Sequence, residues 1–345
     1  MTALFTAQTI GRNFELDLGS LAENIQNNYG LHLLEPLGAA LKGDVNVNFK
    51  LETDQGQKII RLYGSFNQYT KKELEVMQYL VGKGFPTSQP LHNSQGELIS
   101  RYNDYEYSIF DFIVGEQPKY TPEAFYRVGK AVGRMQKLLK DCPIKIDREN
   151  HSLQIFRRKA ELTDFIQDNM ALIKELLEPG VFATIKPQLD LFQEASVPDQ
   201  EFQLIHGDIY SPNVIDNGNE AAIIDFEYVA NGPAVIDLLL YPSWDGICNS
   251  RTQNTPEVYR PKPYVLVDQL RAYFAGYKET NTMPDIDAKQ VRSVMILLQV
   301  GDTVFNLEKA IKARQNLFND YTNNFNSSTA TAKNWAAIRD LLAEI

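Results

Sequence analysis

Between Leu204 and Asp225 the chain reads LIHGDIYSPNVIDNGNEAAIID. Three oxygen-bearing side chains stand in it at set spacing: Asp208 in His206-Gly207-Asp208, then Asn213, then Asp225 beyond a second apolar run. The order His-x-Asp-x-x-x-x-Asn, followed by a strand ending in Asp, supplies what phosphoryl transfer from a nucleotide requires. One carboxylate must orient an attacking hydroxyl and take its proton late in a loose transition state. An amide oxygen and a second carboxylate must hold Mg²⁺ on the phosphates, and Mg²⁺ takes one or two hard oxygen ligands from protein. Asp208 is the candidate base; Asn213 and Asp225 are the candidate Mg²⁺ ligands. The competing view is a buried hairpin whose Asp and Asn residues cap turns.

The elements that must position these groups are legible nearby. Phe202-Gln203-Leu204-Ile205 is a strand entering a loop. Val214-Ile215 and Ala222-Ile223-Ile224 form a hairpin across the turn Asn217-Gly218-Asn219. That hairpin delivers Asn213 and Asp225 side by side. Glu227, two residues past Asp225 on an extended stretch, faces the same way. It is a candidate for a second metal, a water or the substrate. His206 is expected to hold the loop through a backbone bond.

HGDIYSPN followed by IIDFE resembles the aminoglycoside phosphotransferase/choline kinase superfamily, nearest to type II homoserine kinase-like members. Gly207 stands where protein kinases keep Arg, and Asp-Phe-Glu replaces Asp-Phe-Gly. Asp237, in Val235-Ile236-Asp237-Leu238-Leu239, matches a further acidic position of that superfamily. The resemblance implies a bilobal protein-kinase-like α+β fold, with a small β-rich N-lobe and a larger helical C-lobe. It implies ATP and Mg²⁺ as cofactors and a small-molecule hydroxyl as acceptor: an amino alcohol, hydroxy amino acid, aminoglycoside or sugar.

The resemblance also assigns residues. Arg61, in Ile59-Ile60-Arg61-Leu62-Tyr63, sits where related enzymes keep a strand lysine on the nucleotide phosphates. Arg offers a planar fork and Lys a point charge, so the exchange is a real departure. Glu73 is its implied ion-pair partner, although Thr70-x-x-Glu73 also spells a capping box. Gly43-Asp44-Val45-Asn46 resembles the superfamily's phosphate-covering turn, with Gly43 and Asn46 at its ends. Phe112 to Val114 is the implied hinge, meeting adenine through backbone groups. Tyr241, Trp244 and Asp245 in YPSWDG are candidates for the acceptor site, an aromatic beside an acid suiting a cationic amine.

Periodicity lays out the rest. Val45–Leu51 alternates as a strand, Asp54-Gln55-Gly56 turns, and Lys58–Tyr63 returns. Thr70–Gly82 is an amphipathic helix, the one helix read in this half, and Glu106–Val114 is another strand. Thr121-Pro122-Glu123 starts a helix on which Phe125, Val128, Val132, Met135 and Leu139 recur at helical spacing. Further helices are expected over 153–177, 264–278, 287–312 and 332–344, the last with Trp335, Ile338 and Leu342 on one face. The lobe boundary falls at Val114-Gly115: 1–114 for nucleotide, 115–345 for catalysis and acceptor.

Composition excludes several classes. The chain has 345 residues, enough for a large core or two lobes, and carries a net charge of −10 with no basic cluster, against nucleic-acid binding. Cys142 and Cys248 give neither metal spacing nor a disulfide framework. The opening MTALFTAQTIGRNFE lacks the basic and apolar regions of a leader, and no apolar run approaches a membrane span. A cytoplasmic location follows as the expectation. A catalytically silent, ligand-binding relative is the alternative function. The absence of an Ala-Pro-Glu segment after Asp225 speaks against a peptide acceptor.

Overall fold

A computed structural model describes residues 4–9, 12–41, 45–148, 151–177, 179–247 and 265–312. Gly43, Cys248 and the helix expected over 332–344 lie outside them. The chain divides into two compact units, Met1–Val114 and Gly115–Ile345.

The first unit is built on a four-stranded antiparallel sheet, order β3-β4-β6-β5. Its strands are β3 (Val47–Thr53), β4 (Gly56–Leu62), β5 (Ser100–Tyr102) and β6 (Tyr105–Asp111). β3 buries every second residue, as its alternating sequence requires. The helix α2 runs over Thr70–Gly82, as its periodicity predicts. Two features depart from the sequence reading. A hairpin, β1 (Leu4–Thr9) with β2 (Arg12–Asp17), leads into a second helix, α1 (Leu18–Tyr29). Asp17 Oδ1 caps α1 by accepting the Ser20 N–H at 3.0 Å, and Leu21 and Ile25 join Phe14, Phe49 and Tyr107 in the core. β6 also ends at Asp111, so Phe112–Val114 is not strand.

In the second unit helices dominate. α3 (Pro122–Lys140) starts at Thr121, whose Oγ1 accepts the Ala124 N–H. It crosses α8 (Val267–Thr280) at very close range. A Cβ on Gly129 would sit 1.9 Å from the Tyr273 carbonyl oxygen, and one on Gly276 would sit 2.1 Å from that of Tyr126. Only glycine permits this backbone-on-backbone approach. The helix expected over 153–177 is two, α4 (His151–Arg157) and α5 (Lys159–Leu176). The break comes at Arg158, whose guanidinium grips Glu308 with bonds of 3.0 and 2.6 Å. α6 (Pro179–Glu194) is a helix beyond those that the periodicity predicts. α7 (Val235–Tyr241) and α9 (Ala288–Lys312) complete the helical set among the described residues.

Two short ladders are set among these helices. β7 (Phe202–Ile205) pairs antiparallel with β10 (Ala230–Pro233), and β8 (Val214–Asp216) pairs with β9 (Ala221–Ile223). No helix among the described residues is long and apolar enough to cross a membrane.

Candidate active site

The loop from His206 to Asn213 leaves β7 and returns through a 3₁₀ turn, Ser211–Asn213, into β8. A buried carboxylate fixes its first residues. Asp237, at the start of α7, accepts the N–H of His206 at 2.7 Å and of Gly207 at 2.8 Å. Burial pushes this carboxyl up to about 7, although both N–H bonds pull it down. Gly207 has φ +81°, a conformation that side chains resist.

His206 is wholly buried, which lowers its imidazole to about 4 and keeps it neutral. Its Nδ1 lies 3.2 Å from the Asp208 N–H and its Nε2 3.0 Å from the Ile224 carbonyl. An acceptor at Nδ1 and a donor at Nε2 satisfy both, which assigns the tautomer. One ring thus ties the loop beside Asp208 to the strand before Asp225, as the sequence reading expects of His206.

Asn213 closes the loop. Its Nδ2 donates to the Asp208 carbonyl at 2.9 Å and to the Asp208 carboxylate at 2.8 Å. Both amide hydrogens are thereby engaged. The side-chain Oδ1 takes part in neither bond, and it is the atom type Mg²⁺ selects. The Ile224 N–H donates to the Asn213 carbonyl at 2.9 Å, so Asp225 is the next residue along from Asn213's cross-strand neighbour.

Asp225 itself has φ +68° and ψ +68°, left-handed values that Asp tolerates better than most residues. The chain turns there into a 3₁₀ segment, Phe226–Tyr228. This corrects the placement of Glu227. At three residues per turn, positions 225 and 227 do not share a face as they would on a strand. Glu227 is half-buried, and its carbonyl accepts from the Arg148 guanidinium. The Tyr228 phenol is raised to about 12 by burial and by the charges of Glu227, Asp208 and Asp225. Those acids therefore lie within electrostatic reach of one side chain. No cluster of three or more His, Cys, Asp or Glu suited to a metal occurs among the described residues. An amide plus one carboxylate, completed by phosphates and water, fits Mg²⁺ better than such a cluster would.

The hairpin has its own anchor. Arg127 on α3 binds Asp216 through bonds of 2.8 and 2.6 Å. The Asp216 N–H and carbonyl also bond the Glu116 backbone at 2.7 and 3.1 Å. Nothing in the sequence marks this pair, because Arg127 and Asp216 meet only through the packing of α3 on the hairpin.

Two residues expected at the acceptor site are buried. Tyr241 packs edge-on to Phe125 and stacks with Tyr273, wholly buried. Asp245 is 1 % exposed, and its carboxylate accepts the Ser211 N–H at 2.9 Å and the Tyr120 hydroxyl at 3.3 Å. Both residues sit beneath the loop instead of lining a surface. Trp244 is half-buried.

In the first unit, Arg61 of β4 faces Asn48 across the ladder, donates from Nε to Asn48 Oδ1 at 3.1 Å, and lies 5.8 Å from the Phe110 ring centroid. Lys58, on the other face, is ion-paired with Asp111 at 2.6 Å. Glu73 is only 8 % exposed. Its capping box does not form. Tyr69 is the N-cap, the Thr70 N–H donates to the Asn67 carbonyl, and Thr70 Oγ1 accepts from the Asn67 N–H. Asn46 is buried, its Oδ1 accepting the Gly64 N–H at 3.2 Å. The Phe112 N–H, one of the backbone groups expected to meet adenine, is already engaged by the Gln57 carbonyl at 3.2 Å. Val114 is 71 % exposed.

A family model described as the phosphotransferase enzyme family matches residues 38–280, more than half of the chain. The chain belongs to that family. It is similar to the homoserine kinase of Agrobacterium fabrum, 28% identical over 225 residues, which are 63% of this chain and 65% of that protein. The homoserine kinase of Parvibaculum lavamentivorans is 25% identical over 222 residues, 61% and 65% of the two chains. The match therefore spans just under two thirds of these relatives' length. The fold is similar to that of an amicoumacin kinase solved with AMP-PNP and Ca²⁺, with TM-score 0.60, 15% identity and 94% of each chain covered. A spectinomycin phosphotransferase superposes with TM-score 0.58 at 14% identity, covering 94% of this chain and 99% of its own. The α+β kinase-like fold is thus that of this family.

Proposed function

We propose that this chain is an ATP- and Mg²⁺-dependent kinase that phosphorylates a hydroxyl of a small amino-bearing acceptor, with homoserine the first candidate. The observation that carries the reading is the pair of hydrogen bonds that Asn213 Nδ2 donates to Asp208, one to its carbonyl and one to its carboxylate. That pair fixes the base while engaging only the nitrogen of the Asn213 amide, which leaves its side-chain Oδ1 for a cation. The homoserine kinases among its relatives support the acceptor.

In this reading Asp208 orients the acceptor hydroxyl and receives its proton. Asn213 Oδ1 and the Asp225 carboxylate hold the metal ion, which when bound neutralises phosphate charge. Arg61, oriented by Glu73, grips the phosphates through its planar fork. The Phe112 carbonyl and the Val114 N–H meet adenine. Trp244 and Glu227 remain the candidates for acceptor contact. Residues 1–114 act as the nucleotide-binding part and 115–345 as the catalytic part.

The test is ATP consumption measured against homoserine, choline, ethanolamine, 3-amino-1-propanol and spectinomycin. Turnover with one acceptor is expected, and Asp208→Asn should lower it by roughly 10²-fold or more with nucleotide binding retained. Wild-type turnover by Asp208→Asn, or no turnover with any acceptor, would overturn the assignment.

A further inference from the structure

The loop that carries Asp208 and Asn213 is held from below at two places. Asp237 grips its start. The second grip is at Ser211, two residues before Asn213, and its owner is a residue that sequence reasoning sends to the acceptor site. Asp245 Oδ2 accepts the Ser211 N–H at 2.9 Å, and Oδ1 accepts the Tyr120 hydroxyl at 3.3 Å. The Ser211 hydroxyl also bonds this carboxylate and the Tyr241 phenol. Ser211, Tyr241 and Asp245 are all about 1 % exposed.

The surroundings make this a rigid grip. Tyr120 is held by its carbonyl, which accepts from Gln269 Nε2 at 3.1 Å. Asp245 lies in the turn Pro242–Gly246 that continues α7, and Gln299 of α9 holds that turn at the Ser243 carbonyl, 3.1 Å away. Ser211 opens the 3₁₀ turn whose last residue is Asn213. An acid this deeply buried is costly unless its oxygens are engaged, and here both are.

We propose that Asp245 is a positioning residue, which fixes the Ser211–Asn213 turn and through it the direction of the Asn213 side chain. The proposal rests on the phosphotransfer reading above, in which Asn213 is a metal ligand. Residues behind the ligands of a metal site typically change metal affinity or activity by roughly 10- to 100-fold when lost. Here the loss should fall on the metal first. Asn213 Nδ2 still binds Asp208, but the Ser211–Asn213 turn is no longer pinned.

The experiment is a Mn²⁺ titration by electron paramagnetic resonance, with the full chain and a non-hydrolysable ATP analogue. Steady-state KM values for metal and acceptor are measured in parallel. Asp245→Leu should weaken Mn²⁺ binding roughly 10-fold or more and leave the acceptor KM nearly unchanged. Asp245→Asn should recover most of the loss, because its amide oxygen can accept from Ser211 and its NH₂ can donate to Tyr120. Tyr120→Phe, a milder change that serves if Asp245→Leu does not fold, should weaken Mn²⁺ binding by about 3-fold, the scale of one modest hydrogen bond. An acceptor KM that rises while Mn²⁺ affinity stays fixed would overturn the proposal and make Asp245 an acceptor ligand. Lowered thermal stability with unchanged metal affinity would overturn it in favour of a purely structural acid. A wild-type chain that binds no Mn²⁺ with nucleotide would instead remove the phosphotransfer reading, and the proposal with it.

Discussion

His206 carries no charge in the folded chain, and that has a measurable consequence. Burial lowers its imidazole to about 4 from an ordinary value of 6.5. A depressed value means that His206 contributes stability above pH 6.5, and that this contribution is lost as pH falls through 6.5 toward 4. The total is roughly 3 kcal/mol at full effect. Relative to His206→Gln, wild type should therefore lose stability across that window, and the imidazole resonances should titrate well below 6.5. A midpoint at 6.5 or higher would contradict the buried, neutral ring. Arg61 and Glu73 give a second test at this scale. With no capping box at Thr70, Glu73→Gln should raise the apparent KM for ATP and hardly alter stability. Arg61→Lys should be tolerated only in part, because the planar fork is lost. An ATP dependence unchanged in Glu73→Gln would leave Arg61 needing another orienting group.

At the scale of elements, the crossing of α3 and α8 anchors the segments around the candidate site. α3 holds the β8–β9 hairpin through Arg127, and α8 holds Tyr120 through Gln269. The crossing depends on the absence of a side chain at Gly129 and Gly276. Helix propensity alone favours alanine at either position by about 1 kcal/mol. The backbone contact should reverse that sign. Gly129→Ala is expected to destabilise the second unit by about 1–3 kcal/mol, the usual cost of forcing volume into a packed interface. Chemical denaturation checks it, and a stabilised variant would show that the helices separate at little cost. Activity should fall along with stability, since both anchors move with these helices.

At the scale of the whole molecule, ligand binding should register as stability. Each compact unit has its own core, so unfolding is best followed as melting transitions and not as one free energy. A nucleotide at a hundred times its Kd stabilises the state it binds by about 2.7 kcal/mol. ATP with Mg²⁺ should raise the melting temperature. A chelator, or Asp225→Ala, should cancel the Mg²⁺-dependent part of the shift. An equal shift with and without the cation would place nucleotide binding outside the Asn213–Asp225 pair.

Local sequence determined what local physics controls. The hairpin around Asn217-Gly218-Asn219 forms where its turn residues put it, and α2 spans Thr70–Gly82 as its periodicity dictates. Order and spacing alone singled out Asp208, Asn213 and Asp225, because a loop and a two-strand ladder are short-range structures. The tertiary structure decided what depends on residues distant in the chain. YPSWDG reads as an aromatic-acid surface until α7 and the turn that continues it carry Tyr241 and Asp245 inward under Ser211. Thr70-x-x-Glu73 reads as a capping box until Asn67 takes both of Thr70's bonds. Glu227 reads as facing with Asp225 until the left-handed turn at Asp225 leads the chain into a 3₁₀ segment. Burial, and the choice among competing hydrogen-bond partners, arise only when distant segments pack, so no window of sequence contains them.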